Sequence, residues 1–260
     1  MLRAMSLIRI TALRLRQVFL LALGLAILQA PLFGQVPGAA GSSETMNAAM
    51  QKLFGGNTAF SARAEFRVAD KNQKETDFVP MNYWALDGKT RMEIDLSQTK
   101  SAELPPTYLD TIKKFLMDQT VVIARPDKKV TYSIYPRAKA YAEVLYTKEQ
   151  TNALETHYKL DRQPLGKETV DGHSCQKDKV TVLGDRGQRA EAIVWSATDL
   201  KDFPVQMQMI VDASTTVTVK FRDVKLASPD AKQFDPPSAF TKYDSAEALR
   251  DALLQKQAKK

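Results

Sequence analysis

From Leu160 to Leu226 the chain scarcely leaves β-forming composition. Runs rich in Val, Thr, Ile and aromatic residues are cut by turn signals at Asp171-Gly172, "GDRG", "DLKDFP" and "DAS". Turns at such regular spacing fit antiparallel neighbours joined by hairpins, because a parallel neighbour needs a long crossover connection. This stretch restricts the fold more than any single motif does.

The segments before it agree. "FSARAEFRV" alternates strictly, with Phe60, Ala62, Ala64, Phe66 and Val68 on one side and Ser61, Arg63, Glu65 and Arg67 on the other, as a half-buried strand requires. In "NYWALDGKTRMEIDL" Asp87-Gly88 separates two β-rich runs, and a tight hairpin turn needs the positive φ these residues tolerate. Strands resume at "TVVIARPDKKVTYSIYP" and "AKAYAEVLY". Helical spacing interrupts them. Tyr108, Leu109, Ile112, Phe115 and Leu116 form an apolar stripe after Pro105-Pro106, "KEQTNALETHY" reads as a second helix that includes His157, and "DSAEALRDALL" closes the chain with Asp244 or Ser245 as cap. "SSETMNAAMQKLFGG" predicts a short helix capped by Ser42 or Ser43 and stopped by Gly55. The sum is roughly ten short strands in one meandering sheet with two to four helices. Such a sheet has to curl or be covered, and the space it encloses is either core or cavity.

The N-terminus predicts export. Arg3, Arg9, Arg14 and Arg16 stand without an acid before the apolar run Val18 to Leu28, which is short for a membrane span of about 20 residues. The expected organisation is a cleaved signal peptide over 1–34, a Gly/Ala/Ser linker over 35–43 and a single domain over 44–260 in a periplasmic or secreted protein. The formal charge is +7, and the four leading arginines supply more than half of that excess. The remainder forms no basic stripe interleaved with aromatics, so nucleic acid is not an expected partner. One cysteine forms no internal disulfide, so a hydrophobic core must hold the domain.

"GKETVDGHSCQKDKV" holds that cysteine and one of the two histidines. With Asp171-Gly172 as a two-residue turn, Val170 faces His173 and Glu168 faces Cys175, which puts all four on one face. A thiol beside a base and a carboxylate is the pattern of nucleophilic chemistry. Residues two apart on a strand are about 6.5 Å apart, however, and no helix start follows to acidify the thiol. The stretch reads foremost as a scaffold hairpin with Cys175 buried and His173 near the rim. Val180 and Val182 have the opposite parity, so a bulge, a longer turn or a strand buried on both faces has to reconcile them. No metal-ligand spacing, phosphate-binding glycine loop or G-x-S-x-G appears, and no cofactor is expected.

The order of several segments resembles the fold superfamily of the periplasmic outer-membrane lipoprotein carriers (LolA/LolB-like), and especially the family called domain of unknown function 4412. The resemblance rests on "YWALDGKTRMEI", "GKETVDGHSCQKDKVTV", "IVWSATDLKDFPVQMQM" and "FRDVKLASPDAKQFDPPSAF". It implies a mainly β fold, a curved, incomplete antiparallel β-barrel with helices covering the concave face and an apolar space for acyl chains. The leading expectation is therefore a non-enzymatic binder or carrier of an acyl chain, lipid or lipoprotein in the cell envelope, with a lipid, acylated protein or envelope protein as partner. Candidate cavity or lid residues are Phe60, Phe66, Trp84, Met92, Ile94, Ile112 and Phe115, with Met207 and Met209 as an adaptable strand; plain core packing is the competing reading for each. One alternative is a structural or regulatory envelope module with a filled core. The other is a thiol-dependent enzyme using Cys175 and His173.

Overall fold

The computed structural model describes residues 51–258, except 103–104, 188 and 213. The expected signal peptide, linker and start of the first helix lie outside the described residues. The first half contains β1 (Ala59–Asp70), β2 (Glu75–Leu86), β3 (Lys89–Asp95), β4 (Lys100–Ser101), helix α1 (Pro106–Lys114), β5 (Gln119–Arg125), β6 (Val130–Tyr135), β7 (Ala140–Leu145) and helix α2 (Lys148–Glu155). The second contains β8 (Tyr158–Val170), β9 (His173–Gly184), β10 (Arg189–Ala197), β11 (Phe203–Asp212), β12 (Thr215–Lys225), β13 (Thr241–Tyr243) and helix α3 (Ala246–Ala258).

All the strands join one open sheet in the order β13-β7-β6-β5-β3-β2-β1-β12-β11-β10-β9-β8, with β4 on β2. The N-terminal strand β1 is central. One meander runs outward from it through β2 and β3, and the second returns to it through β12, so the β1–β12 pairing joins the two meanders across a long separation in sequence. Every pairing is antiparallel except that of β13 with β7. The strands are more numerous and longer than expected, with β1, β2 and β9 of 12 residues and β8 of 13. Tight turns explain the length. Asp87-Gly88 and Asp171-Gly172 both take positive φ, so pairing continues up to Leu86↔Lys89 and Val170↔His173.

Phe60, Ala62, Ala64 and Val68 are buried as their alternation predicts. Cross-strand register extends that face through Met81 and Ile94 on one side and Phe221, Val219, Met207 and Val194 on the other. Rings from β1, β2, β11 and β12 converge on it, which makes it the concave face of the curved sheet. Further along the same face, α1 and α3 pack Ile112, Leu249 and Leu253 against Tyr135, Ala140 and Ala142. On the opposite face, Phe234 and Phe240 from the proline-rich segment cover Ile123, Tyr132 and Ile134. Arg125 fixes this segment by bonding Asp127, Asp235 and the Phe234 carbonyl.

The helices form where capping and periodicity place them. α1 starts at Pro106 and its end is marked by Leu116 at φ 59°. The Ser245 Oγ accepts from the Ala248 N–H at 3.1 Å, which identifies Ser245 as the cap of α3. α2 begins with a Thr147/Gln150 capping box but stops at Glu155, earlier than expected. His157 is therefore not helical. It stands in the connection to β8, with its Nδ1 3.4 Å from Asp185.

Candidate functional site

The concave face is a floor of aromatic rings. Phe60 is fully buried at its centre, 4.8 Å centroid to centroid from both Phe54 and Phe203. Tyr83 and Phe221 complete the group at 5.7 and 6.4 Å from Phe60. Burial raises the Tyr83 phenol well above its ordinary pKa, so it stays neutral in this apolar setting. Leu53 and Phe54 arrive from the N-terminal segment, outside the sheet, and close the floor from above. Gly55 at φ 58° turns the chain from there toward β1.

The structure brings together some of the residues expected from sequence. Phe60, Phe66, Met92 and Ile94 share the concave face, Phe60 and Ile94 buried and Phe66 and Met92 partly so. Met207 and Met209 lie on it too, both buried. Ile112 and Phe115 belong to the helical cluster farther along, and Leu96 packs against both clusters as the joint between them. Trp84 stands apart. Its register neighbour is Arg91, whose guanidinium lies 5.9 Å from the indole, and it packs with Phe234 on the convex side. Sequence alternation around Tyr83 and Trp84 does not say which of two adjacent aromatics points inward; the pairing of Tyr83 with Ala62 decides it. Phe203 and Phe221 are not among the residues expected from sequence, and Phe54, expected only on the packing face of the first helix, joins them in the floor. Phe221 carried a readable signal, since it continues the alternation of Val217 and Val219.

The Cys/His hairpin has the expected register, with Val170 opposite His173 and Glu168 opposite Cys175. Its contacts are those of a scaffold. The His173 ring lies 2.7 Å from Asp199, and its hydrogen bond holds the Asp199 carboxyl below the usual range. Glu168 accepts from Trp195 Nε1 at 2.9 Å and from Lys177 at 3.0 Å, while the Lys177 ammonium lies 4.9 Å from the Trp195 ring. Cys175 is buried, and burial raises its thiol pKa. A neutral thiol whose neighbouring imidazole and carboxylate are engaged elsewhere is a poor nucleophile. The parity conflict is resolved by burial on both faces: β9 pairs with β10 without a register shift, and both Cys175 and Val180 are buried. Among the described residues no group of His, Cys, Asp and Glu is placed to hold a metal ion. No described helix is long and apolar enough to cross a membrane.

The convex side carries an open groove of about 660 Å³ across β1, β2, β3 and β5. Arg63, Asn82, Glu93 and Val121 stand in one cross-strand row, and Asp95 and Gln119 in a parallel row two residues on. Its polar lining distinguishes it from the aromatic floor.

No curated protein matches the sequence. The chain is similar in structure to LprF from Mycobacterium bovis, with a TM-score of 0.39 and 13% identity over 78% of this chain and 100% of that one. It is also similar to the lipoprotein LppX of Mycobacterium tuberculosis, with a TM-score of 0.37 and 11% identity over 71% and 95% of the two chains. For a LolA superfamily protein from Nitrosomonas europaea the TM-score is 0.34, at 10% identity over 76% and 97%. The profile of the family described as Domain of unknown function (DUF4412) matches residues 78–225, from within β2 to the end of β12 and more than half of the sequence. The chain belongs to that family.

Proposed function

We propose that this protein is an exported, non-enzymatic binder of an acyl chain or similar apolar ligand, working as a lipid or lipoprotein carrier in the cell envelope. The observation that carries the reading is the aromatic floor of the concave face, closed by Leu53 and Phe54, which come from outside the sheet. Displacing that closure would open apolar surface, and its burial against an acyl chain contributes about 25 cal/mol per Å² without any specific chemistry. The sequence resemblance to lipoprotein carriers supports the same reading. Phe60, Phe66, Met92 and Ile94 would contact the ligand, while Ile112 and Phe115 would line the helical end of its path.

A second reading is favoured by the contacts among the rings, whose centroids lie 4.8 to 6.4 Å apart. These are packing distances, and they suit an envelope module with a filled core that works through its surface. Native mass spectrometry with lipid extraction, on the chain recovered from a bacterial periplasm, separates the two. A stoichiometric lipid adduct supports carriage. A clean apo mass, together with failure to take up a fluorescent fatty acid, would leave the filled module.

A further inference from the structure

The convex groove presents one cation, Arg63, that is without a partner among the described residues. Arg91 binds Glu93 and the Gln233 carbonyl. Asp95 accepts from the backbone and side chain of Ser97 and from Gln98, and its pKa falls below the ordinary value because these bonds and Lys113 outweigh the effect of burial. Arg63 is exposed, lines the groove and makes no hydrogen bond or ion pair among the described residues. Its register partner on β12 is Arg222, itself engaged by Glu65 and Asp171. With Arg222 compensated by these two carboxylates, Arg63 is the cation of the row left to meet an anion.

We propose that this groove binds a short zwitterionic peptide, with its terminal carboxylate on Arg63, its ammonium toward Asp95 and its peptide groups on the amides of Asn82 and Gln119. The spacing suits such a ligand. Two interstrand steps of about 4.8 Å and two residues of rise at about 3.3 Å put the α-carbons of Arg63 and Asp95 roughly 12 Å apart. About three extended residues cover that span. A guanidinium fork matches a carboxylate through two parallel hydrogen bonds, and side-chain amides both donate and accept, as a peptide group does. The volume is that of a small-molecule site. An inorganic anion would use Arg63 alone and meet the carboxylates of Glu93 and Asp95, and an acyl chain would desolvate Arg63 without replacing its hydrogen bonds. The groove is on the face opposite the aromatic floor, so it is a second site.

The test is titration calorimetry of the full chain with trialanine, its C-terminal amide, its N-acetyl derivative and inorganic phosphate, repeated on Arg63→Gln. Trialanine should bind, and amidation should weaken binding about tenfold by removing the charge-assisted pair. Acetylation should cost a smaller factor. Arg63→Gln should lose the same factor as amidation and no longer distinguish acid from amide, with an unchanged near-UV circular dichroism spectrum. Equal binding of acid and amide overturns the proposal, as does no trialanine binding at millimolar concentration. Phosphate binding as tightly as the peptide also overturns it, leaving a simple anion site. None of these outcomes depends on fatty-acid uptake by the concave face.

Discussion

β6 and β8 stand near opposite ends of the same sheet under different physical conditions. β6 is buried at five of its six positions, because Tyr135 meets α1 and α3 on one face while Val130, Tyr132 and Ile134 meet the Phe234 segment on the other. Eleven consecutive residues of β8, 159 to 169, lie exposed, and among the described residues its one strand neighbour is β9. The β6 end is therefore held from three directions and the β8 end from one. A binder that must open has to do so where closure depends on few contacts, and the aromatic floor between the two ends is closed by Leu53 and Phe54. In the proposed binder, stability and opening would therefore fall to different parts of one sheet.

The largest expected effect lies at the floor. Phe203→Ala should destabilise the protein by about 3–5 kcal/mol if the rings are plain core, read as a lowered midpoint in urea denaturation. A fall far smaller than that, accompanied by loss of fatty-acid uptake, would identify the floor as a binding surface and sharpen its contrast with the β6 end.

Next comes the clamp on the β6 end. Arg125→Ala removes charge-assisted bonds to Asp127 and Asp235 and should cost about 2 kcal/mol, with faster amide exchange around Phe234. The same clamp sets a pH dependence. The hydrogen bond from Arg125 lowers the Asp127 pKa to about 2 from an ordinary 3.8. A depressed folded-state pKa gives stability that is present above the unfolded value and lost as pH falls through the folded one. Protection of the Phe234 amide, taken relative to its intrinsic exchange rate at each pH, should therefore fall between pH 4 and pH 2 in the native protein and be less pH-dependent in Arg125→Ala. Asp127 is 45% exposed, which keeps the contribution small.

How much of this was legible in the sequence depended on whether a residue's role was local. β1 could be read from its alternation and both tight turns from Asp-Gly, and the hairpin register at Cys175 followed from its turn. The long range pairing of β1 with β12 could not be read, since the sequence contains no term for which distant strands meet. That pairing is what unites Phe60 with Phe203 and Phe221, so the floor was seen in only part. Trp84 was misplaced for the related reason that two adjacent aromatics give no parity. Arg63 looked like any solvated arginine, and only its partners across β2 and β12 set it apart. The length of β8 escaped because a strand exposed on nearly every residue shows no hydrophobic alternation.

A chemical probe tests the hairpin near the β8 end. Cys175 is buried and its thiol pKa is raised, so a thiol reagent at pH 8 should modify it slowly in the folded protein and rapidly in denaturant. Fast modification of the native protein would mean that the β8–β10 hairpins open frequently, and would extend the weakly held region from the edge into the sheet.

The smallest effect is expected on the edge strand itself. Leu165 is 48% exposed, next to Pro164, which lacks an N–H, and Gly166 at φ 121°, where the register with β9 shifts. Proline and a bulge are devices that keep an open strand edge from pairing with another chain. Leu165→Ser removes little buried area and should change the denaturation midpoint by less than about 0.5 kcal/mol. Pro164→Val restores a donor to the edge, so it should leave monomer stability similarly unaffected while increasing self-association in sedimentation experiments. A large loss of stability in Leu165→Ser would mean that β8 is covered in the working protein, and the contrast with β6 would then belong to the isolated chain alone.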